Sequence, residues 1–342
     1  MKCFLASNSA EGFVSYFGES YNPVDHWRAY IIKGGPGTGK SSFLKRVISR
    51  AEEKGLLFDE VYCASDPYSL DGVIIPKEKI VLLDGTAPHI VEPKFPGAYD
   101  KILNFGDFWR EDILRTNGRC IIELTLHNKA LHTRASGFVG LAGQRLNENL
   151  KAQKKALKVK EIKVLSDKIF CENLKGKGAA FKTVNRFLGG ITPKGLLYFE
   201  PPIAKKTILL SDNVGTVSNL LFEFLTQKAD SSGFETIVFR NPILPNSLVD
   251  GLYFPEREFC IVRNFYSSKE RCETILAKDY LKGRKSRVIN ENDAFIKEYL
   301  FDAAKVLRMA KNNHDLLEEK YISAMDYAAL NEFTDKVLEE VF

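Results

Sequence analysis

The chain of 342 residues has no apolar run long enough to cross a bilayer, so no membrane partner or transmembrane helix is expected. Its six cysteines (3, 63, 120, 171, 260 and 272) form no C-x-x-C pair and share no metal-ligand spacing with the five histidines. Neither a zinc site nor a disulfide scaffold follows; scattered thiols point to a reducing, cytoplasmic setting. Residues 3–6 are the only apolar patch before Ser7, so no secretion signal is expected at this end. A guanine-type N-K-x-D motif is absent, and a net charge of +5 is too small to mark a nucleic-acid binder by itself. With 44% apolar and 27% charged residues, the composition is that of an ordinary soluble protein with room for two domains.

One stretch stands out. Gly34, Gly35, Pro36, Gly37, Thr38, Gly39, Lys40 and Ser41, followed by Ser42, satisfy G-x-x-x-x-G-K-[ST]. Residues 29–33 (AYIIK) read as a strand, and 42–54 as a helix with Phe43, Leu44, Val47 and Ile48 at core spacing. In that context glycine amides and the first helical turn can surround a triphosphate. Lys40, with an exposed ammonium, is expected to reach the outer phosphates, and Ser41 to ligate Mg²⁺; ATP and Mg²⁺ are the expected cofactors. Residues 79–84 (KIVLLD) form an apolar strand ending in Asp84, where a Walker B acid would hold Mg²⁺ through water. Gly85, not glutamate, follows, which leaves the catalytic base open between Asp66, after the strand 60–64, and His89. The plainer readings are a turn aspartate and a solvated loop histidine. Asp71, which has a counterpart in Asp250, is assigned to structure.

An internal repeat is the second signal. Phe4-Leu5 is echoed by Phe187-Leu188, RAYIIKGGPGTGKSSFL by KTILLSDNVGTVSNLLF, and Leu70-Asp71-Gly72 by Val249-Asp250-Gly251, at offsets of 178 to 183 residues. In the second copy Asp212 replaces Gly34, Val217 replaces Gly39, Ser218 replaces Lys40, Asn219 replaces Ser41 and Arg263 replaces Asp84. A carboxylate would repel phosphate there, so only the first copy is expected to bind nucleotide.

The segments GGPGTGKSS (34–42), SDPYSLDG (65–72) and DGTAPH (84–89) resemble those of an uncharacterised family of bacterial two-repeat P-loop ATPases. The resemblance spans nearly the whole chain and implies ATP binding; it does not imply a substrate, and members often keep a second intact loop. The expected fold is α/β, with two tandem P-loop NTPase-like units, each a mainly parallel sheet with flanking helices and a helical hairpin. Unit 1–174 carries a basic arm (about 120–174) whose leucines and kin recur at sevens (Leu150, Leu157, Val164, Cys171). Unit 175–342 carries an acidic arm (about 289–342), and 175–183 is the expected linker. From 127 to 186 there are fourteen Lys or Arg against four acids, and from 289 to 342 six against twelve. The arms are therefore expected to pair within the chain, apolar stripes inside and charges at the rim; a nucleic-acid partner for Lys151, Lys154, Lys155, Lys158 and Lys160 ranks lower. The expected activity is a slow ATPase, with Arg134 as one possible arginine for charge neutralisation. A small-molecule or nucleotide kinase and a nucleotide-gated interaction protein are the alternatives.

Overall fold

The structure is a computed structural model that describes residues 1–179, 182–263, 272–283 and 287–342; the expected linker lies partly outside them. The first half runs β1 (Lys2–Cys3), β2 (Ala6–Ser9), β3 (Gly12–Ser15), β4 (Arg28–Lys33), α1 (Lys40–Glu53), β5 (Asp59–Tyr62), β6 (Leu70–Ile75), β7 (Ile80–Asp84) and β8 (Asp100–Asn104). Three helices follow: α2 (Glu111–Thr116), α3 (Gly118–Lys154) and α4 (Val159–Asn173). The second half runs β9 (Lys182–Arg186), β10 (Gly189–Thr192), β11 (Gly195–Tyr198), β12 (Lys206–Ser211), α5 (Thr216–Ser232), β13 (Glu235–Arg240), β14 (Val249–Phe254), β15 (Phe259–Arg263), β16 (Glu273–Leu276), α6 (Arg287–Ile322) and α7 (Tyr327–Val341).

The two six-stranded sheets have one topology. Their orders are β1-β5-β6-β7-β4-β8 and β9-β13-β14-β15-β12-β16, which correspond strand for strand. β4 and β7 are neighbouring interior strands and read as continuous apolar runs because both faces are covered. Five strands of each sheet run one way, whereas β6 and β14 run against both neighbours. The sheets are thus mixed, because residues 63–69 and 76–79 are too short for a parallel crossover. Matching residues Phe4 and Phe187 bond to each other, N to O at 2.8 and 2.9 Å, as residues near a pseudo-two-fold axis must.

Each sheet finishes its core with a helix from the other half. Ile162 and Ile169 of α4 pack with Leu221, Phe222 and Ile261 of the second unit. Leu330, Val337 and Leu338 of α7 pack with Phe43, Leu44 and Val47 of the first. A cut at 174/175 would therefore part each sheet from one of its own core helices. The arms are not hairpins: α3 lies along α6, burying Leu131, Val139, Leu300 and Leu307, while α4 turns away to α5. The sevenfold seam also fails, with Val164 67% exposed and Cys171 exposed, because its phase runs through residues 155–158, where the helix is interrupted.

The polar contacts between α3 and α6 include hydrogen bonds from side-chain amides, Asn292 to Asn149 (2.9 Å) and Asn313 to the Leu124 carbonyl (2.8 Å). Two acids of the second arm, Asp335 and Glu340 of α7, meet Arg46 and Lys101 of the first unit. No helix among the described residues is long and apolar enough to cross a membrane.

Candidate functional site

The glycine loop connects the central strand β4 to α1. Because Ile32 pairs with Asp84, the β7 carboxylate emerges beside the start of the loop. Gly37 (φ 66°) and Gly39 (φ 85°) take left-handed conformations, and Gly39 is the N-cap of α1, which no side chain caps. Lys40 Nζ donates to the carbonyls of Gly34 (3.0 Å) and Gly35 (2.8 Å) and lies 3.5 Å from Asp84 Oδ2. Its side chain is therefore 13% exposed, not the exposed ammonium expected, because it curls back over its own loop. Thr38 Oγ1 donates to Gly35 O, and Ser41 Oγ accepts from Leu70 N at 3.0 Å. Pro36 is half-buried and Ser42 exposed.

Beside Lys40 lies a cluster that sequence reasoning assembled only in part. Asp84 Oδ1 accepts from the amide and hydroxyl of Thr86. His89 is buried under the edge of Phe17, with Nδ1 3.0 Å from Thr86 O and Nε2 3.3 Å from Asp71 Oδ2. A carbonyl can only accept, so Nδ1 carries the proton of a neutral ring and Nε2 is left as an acceptor. Burial pushes the His89 pKa down to about 4, with Lys40 in the same direction and Asp84 against it. Burial, and next the charge of Asp84, push Asp71 up to about 8. A protonated Asp71 donating to His89 satisfies both shifts. Asp71, Asp84 and His89 each offer one ligand atom, all within 4.8 Å of one another, a spacing that could share a divalent cation.

The other expected residues lie apart from this cluster. Asp66 opens a turn, accepting from Tyr68 N (3.1 Å) and Ser69 Oγ (3.0 Å), and faces Lys311 of α6 at 3.4 Å. Arg134 is exposed on α3. The corner between α6 and α7 covers the loop instead: Tyr327 Oη donates to Gly37 O at 2.7 Å, and a Cβ on Gly35 would lie 2.7 Å from the Tyr321 ring. No local signal near residue 35 announces contacts some 290 residues away.

The second loop is built differently on the same frame. Ser41 and Asn219 stand at matching positions and hold matching amides, Leu70 N and Val249 N, each at 3.0 Å. Asp212, at the position of Gly34, turns its carboxylate inward and accepts from Gly215 N (2.9 Å), Val217 N (2.9 Å) and Ser218 N (2.8 Å). Arg263, at the position of Asp84, bonds Asp250 at 2.7 Å and the carbonyls of Asp212 and Asn213; Arg263 and Asp250 side chains are both 2% exposed. Next to this loop a cleft of about 420 Å³ is bordered by Asp212, Gln153 and Leu281. At the matching place in the first unit the rings of Trp109 and Tyr321 pack together, 5.8 Å between centroids. No protein-family profile, no curated protein and no solved structure matches this chain.

Proposed function

We propose that the chain is a two-repeat P-loop ATPase that binds one Mg²⁺·ATP, in the first unit. The observation that carries the proposal is the contrast between the loops. Three amides of the second loop, those of Gly215, Val217 and Ser218, converge on the Asp212 carboxylate, so this curl of backbone is an anion binder. In the first loop glycine stands at that position, and a lysine and an acid replace Ser218 and Arg263.

The amides of the Gly37 to Ser42 segment and the uncapped first turn of α1 would hold the outer phosphates. Lys40 exchanges two neutral carbonyl partners for charged oxygens when it turns to them, a gain for each bond. Ser41 and Asp84 supply the oxygens suited to Mg²⁺, which would neutralise the charge developing on the transferred group. Asp71, pushed up to about 8 beside Asp84, is where we place acceptance of the proton of the attacking water: its ionised form takes the proton, and the acid so formed donates to His89 Nε2. Asp66 is the weaker base because Ser69, Tyr68 and Lys311 already engage its carboxylate.

Phosphate release from Mg²⁺·ATP tests the proposal. The wild type should release phosphate only with Mg²⁺, and Lys40→Ala should lower the rate by a factor of about 100 or more, as expected for loss of a charge-stabilising group. An unchanged rate in Lys40→Ala would refute the site. Transfer to an added acceptor in place of free phosphate would make the protein a kinase.

A further inference from the structure

The corner between α3 and α4 repeats the corner between α6 and α7 bond for bond. Arg110 N donates to Ala324 O and Asp326 N to Phe108 O, both at 2.8 Å; in the second unit Lys282 N donates to Ala156 O (2.7 Å) and Lys158 N to Tyr280 O (3.0 Å). The bridges Trp109 to Met325 and Leu157 to Leu281 complete the match. Trp109 therefore corresponds to Leu281, and Tyr321, three residues before Ala324, corresponds to Gln153, three before Ala156. In the first unit the two rings meet at 5.8 Å between centroids, and Tyr321 covers Gly35. In the second neither ring is present and Asn213 stands at the place of Gly35, which leaves the cleft of about 420 Å³.

We propose that this cleft is a binding site for a small aromatic anion, a ring compound carrying a carboxylate or a sulfonate. The site does not depend on nucleotide binding in the first unit, and it makes no use of the loop amides, which Asp212 holds.

Shape, wall chemistry and charge carry it. The backbone frame that packs two aromatic rings in one unit is kept in the other, so the space left open suits a ring. Its volume falls in the range of ordinary ligand pockets. Ala156, Leu276, Leu281 and Ile289 supply apolar walls. Gln153 also borders the cleft, and its Oε1 is buried with no hydrogen-bond partner among the described residues. An N–H or hydroxyl on the ligand removes that cost once the amide turns about its terminal bond. Lys278 and Lys282 border the cleft, are exposed, and form no ion pair among the described residues. Asp212 borders it too, but three amides engage its carboxylate, which leaves the two lysines to set the sign of the ligand's charge.

Fluorescence titration of the full-length protein with anilinonaphthalene sulfonate, which joins aromatic rings, an N–H and a sulfonate, tests this. One probe should bind per chain. Combining Gln153→Tyr with Leu281→Trp restores the rings of the first unit and should raise Kd about ten-fold or more, with the melting temperature unchanged or higher. Combining Lys278→Gln with Lys282→Gln, both on exposed side chains, should raise Kd about three-fold per charge, and less at high salt. In Lys40→Ala, excess Mg²⁺·ATP should leave the probe in place. No probe binding to the wild type, or an unchanged Kd in the folded ring variant or in the lysine variant, would overturn the inference. Displacement of the probe by Mg²⁺·ATP in Lys40→Ala would also overturn it, making the cleft a second nucleotide site. If the ring variant does not fold, the lysine variant and the Mg²⁺·ATP competition decide.

Discussion

The two loops keep the same frame and rearrange its charges. In the first, the cation is Lys40, on the helix, and the anion is Asp84, on the strand. In the second, the cation is Arg263, on the strand, and the anion is Asp212, on the loop. Local charge balance is retained in both, but in the second the ion pair itself, Arg263 with Asp250, is almost fully buried. A flexible lysine bonded to two carbonyls can change partners; a buried arginine bonded to Asp250 and two carbonyls cannot without stranding a charge. On the proposed reading, the difference separates a loop open to an external anion from one whose anion is part of the chain.

If both units depend on exchanged helices, separating them should have the largest effect. Residues 1–174 lack α7, whose four buried apolar side chains, Leu330, Val337, Leu338 and Val341, represent about 6–12 kcal/mol of apolar burial. That is comparable to the whole stability of a domain. Circular dichroism of 1–174 and 175–342 should show neither folded alone, and mixing them should restore helicity. Cooperative folding of either half alone would break the symmetry argument.

Substitutions at the second loop come next. Arg263→Ala leaves the Asp250 carboxylate buried without its cation and should cost about 3–5 kcal/mol in denaturant unfolding. Asp212→Ala removes the acceptor for three amides and should cost about 2 kcal/mol. By contrast Lys40→Ala should cost only about 1 kcal/mol: two neutral carbonyls lose a donor, and Asp84, whose pair with Lys40 is long at 3.5 Å, keeps its hydrogen bonds from Thr86. A stability loss at Lys40 as large as that at Asp212 would blur the distinction between the loops.

The smallest effect is in the pH profile of the first unit. The folded His89 pKa, about 4, lies below the ordinary 6.5, so the unfolded chain takes the proton first. Stability from the neutral ring is present above about pH 6.5 and is lost as pH falls towards 4. His89→Gln should therefore flatten the acid side of the melting curve by a few degrees. A wild-type profile matched by the variant would place His89 outside any such balance.

The repeat was legible because three segments recur in order, and the glycine loop because Lys40 and Ser41 close a motif whose backbone needs Gly37 and Gly39 in left-handed conformations. The exchange of α4 and α7 was not, since an apolar stripe announces a buried face without naming its partner; Ile162 and Ile169 would pack equally well on either sheet by pattern alone. Asp71 was passed over because it recurs as Asp250. The structure explains both: the first faces an acid and a histidine, the second an arginine, so one retained residue serves two environments. Asp212 was expected to repel phosphate at the loop; it takes the amides for itself.

The most direct test of a single competent site is the stoichiometry of Mg²⁺·ATP binding in wild type, Lys40→Ala and Asp212→Ala, measured by calorimetry. One nucleotide per chain in the wild type and in folded Asp212→Ala, with none in Lys40→Ala, is the expected result. Two nucleotides per wild-type chain, or one that survives Lys40→Ala, would contradict it.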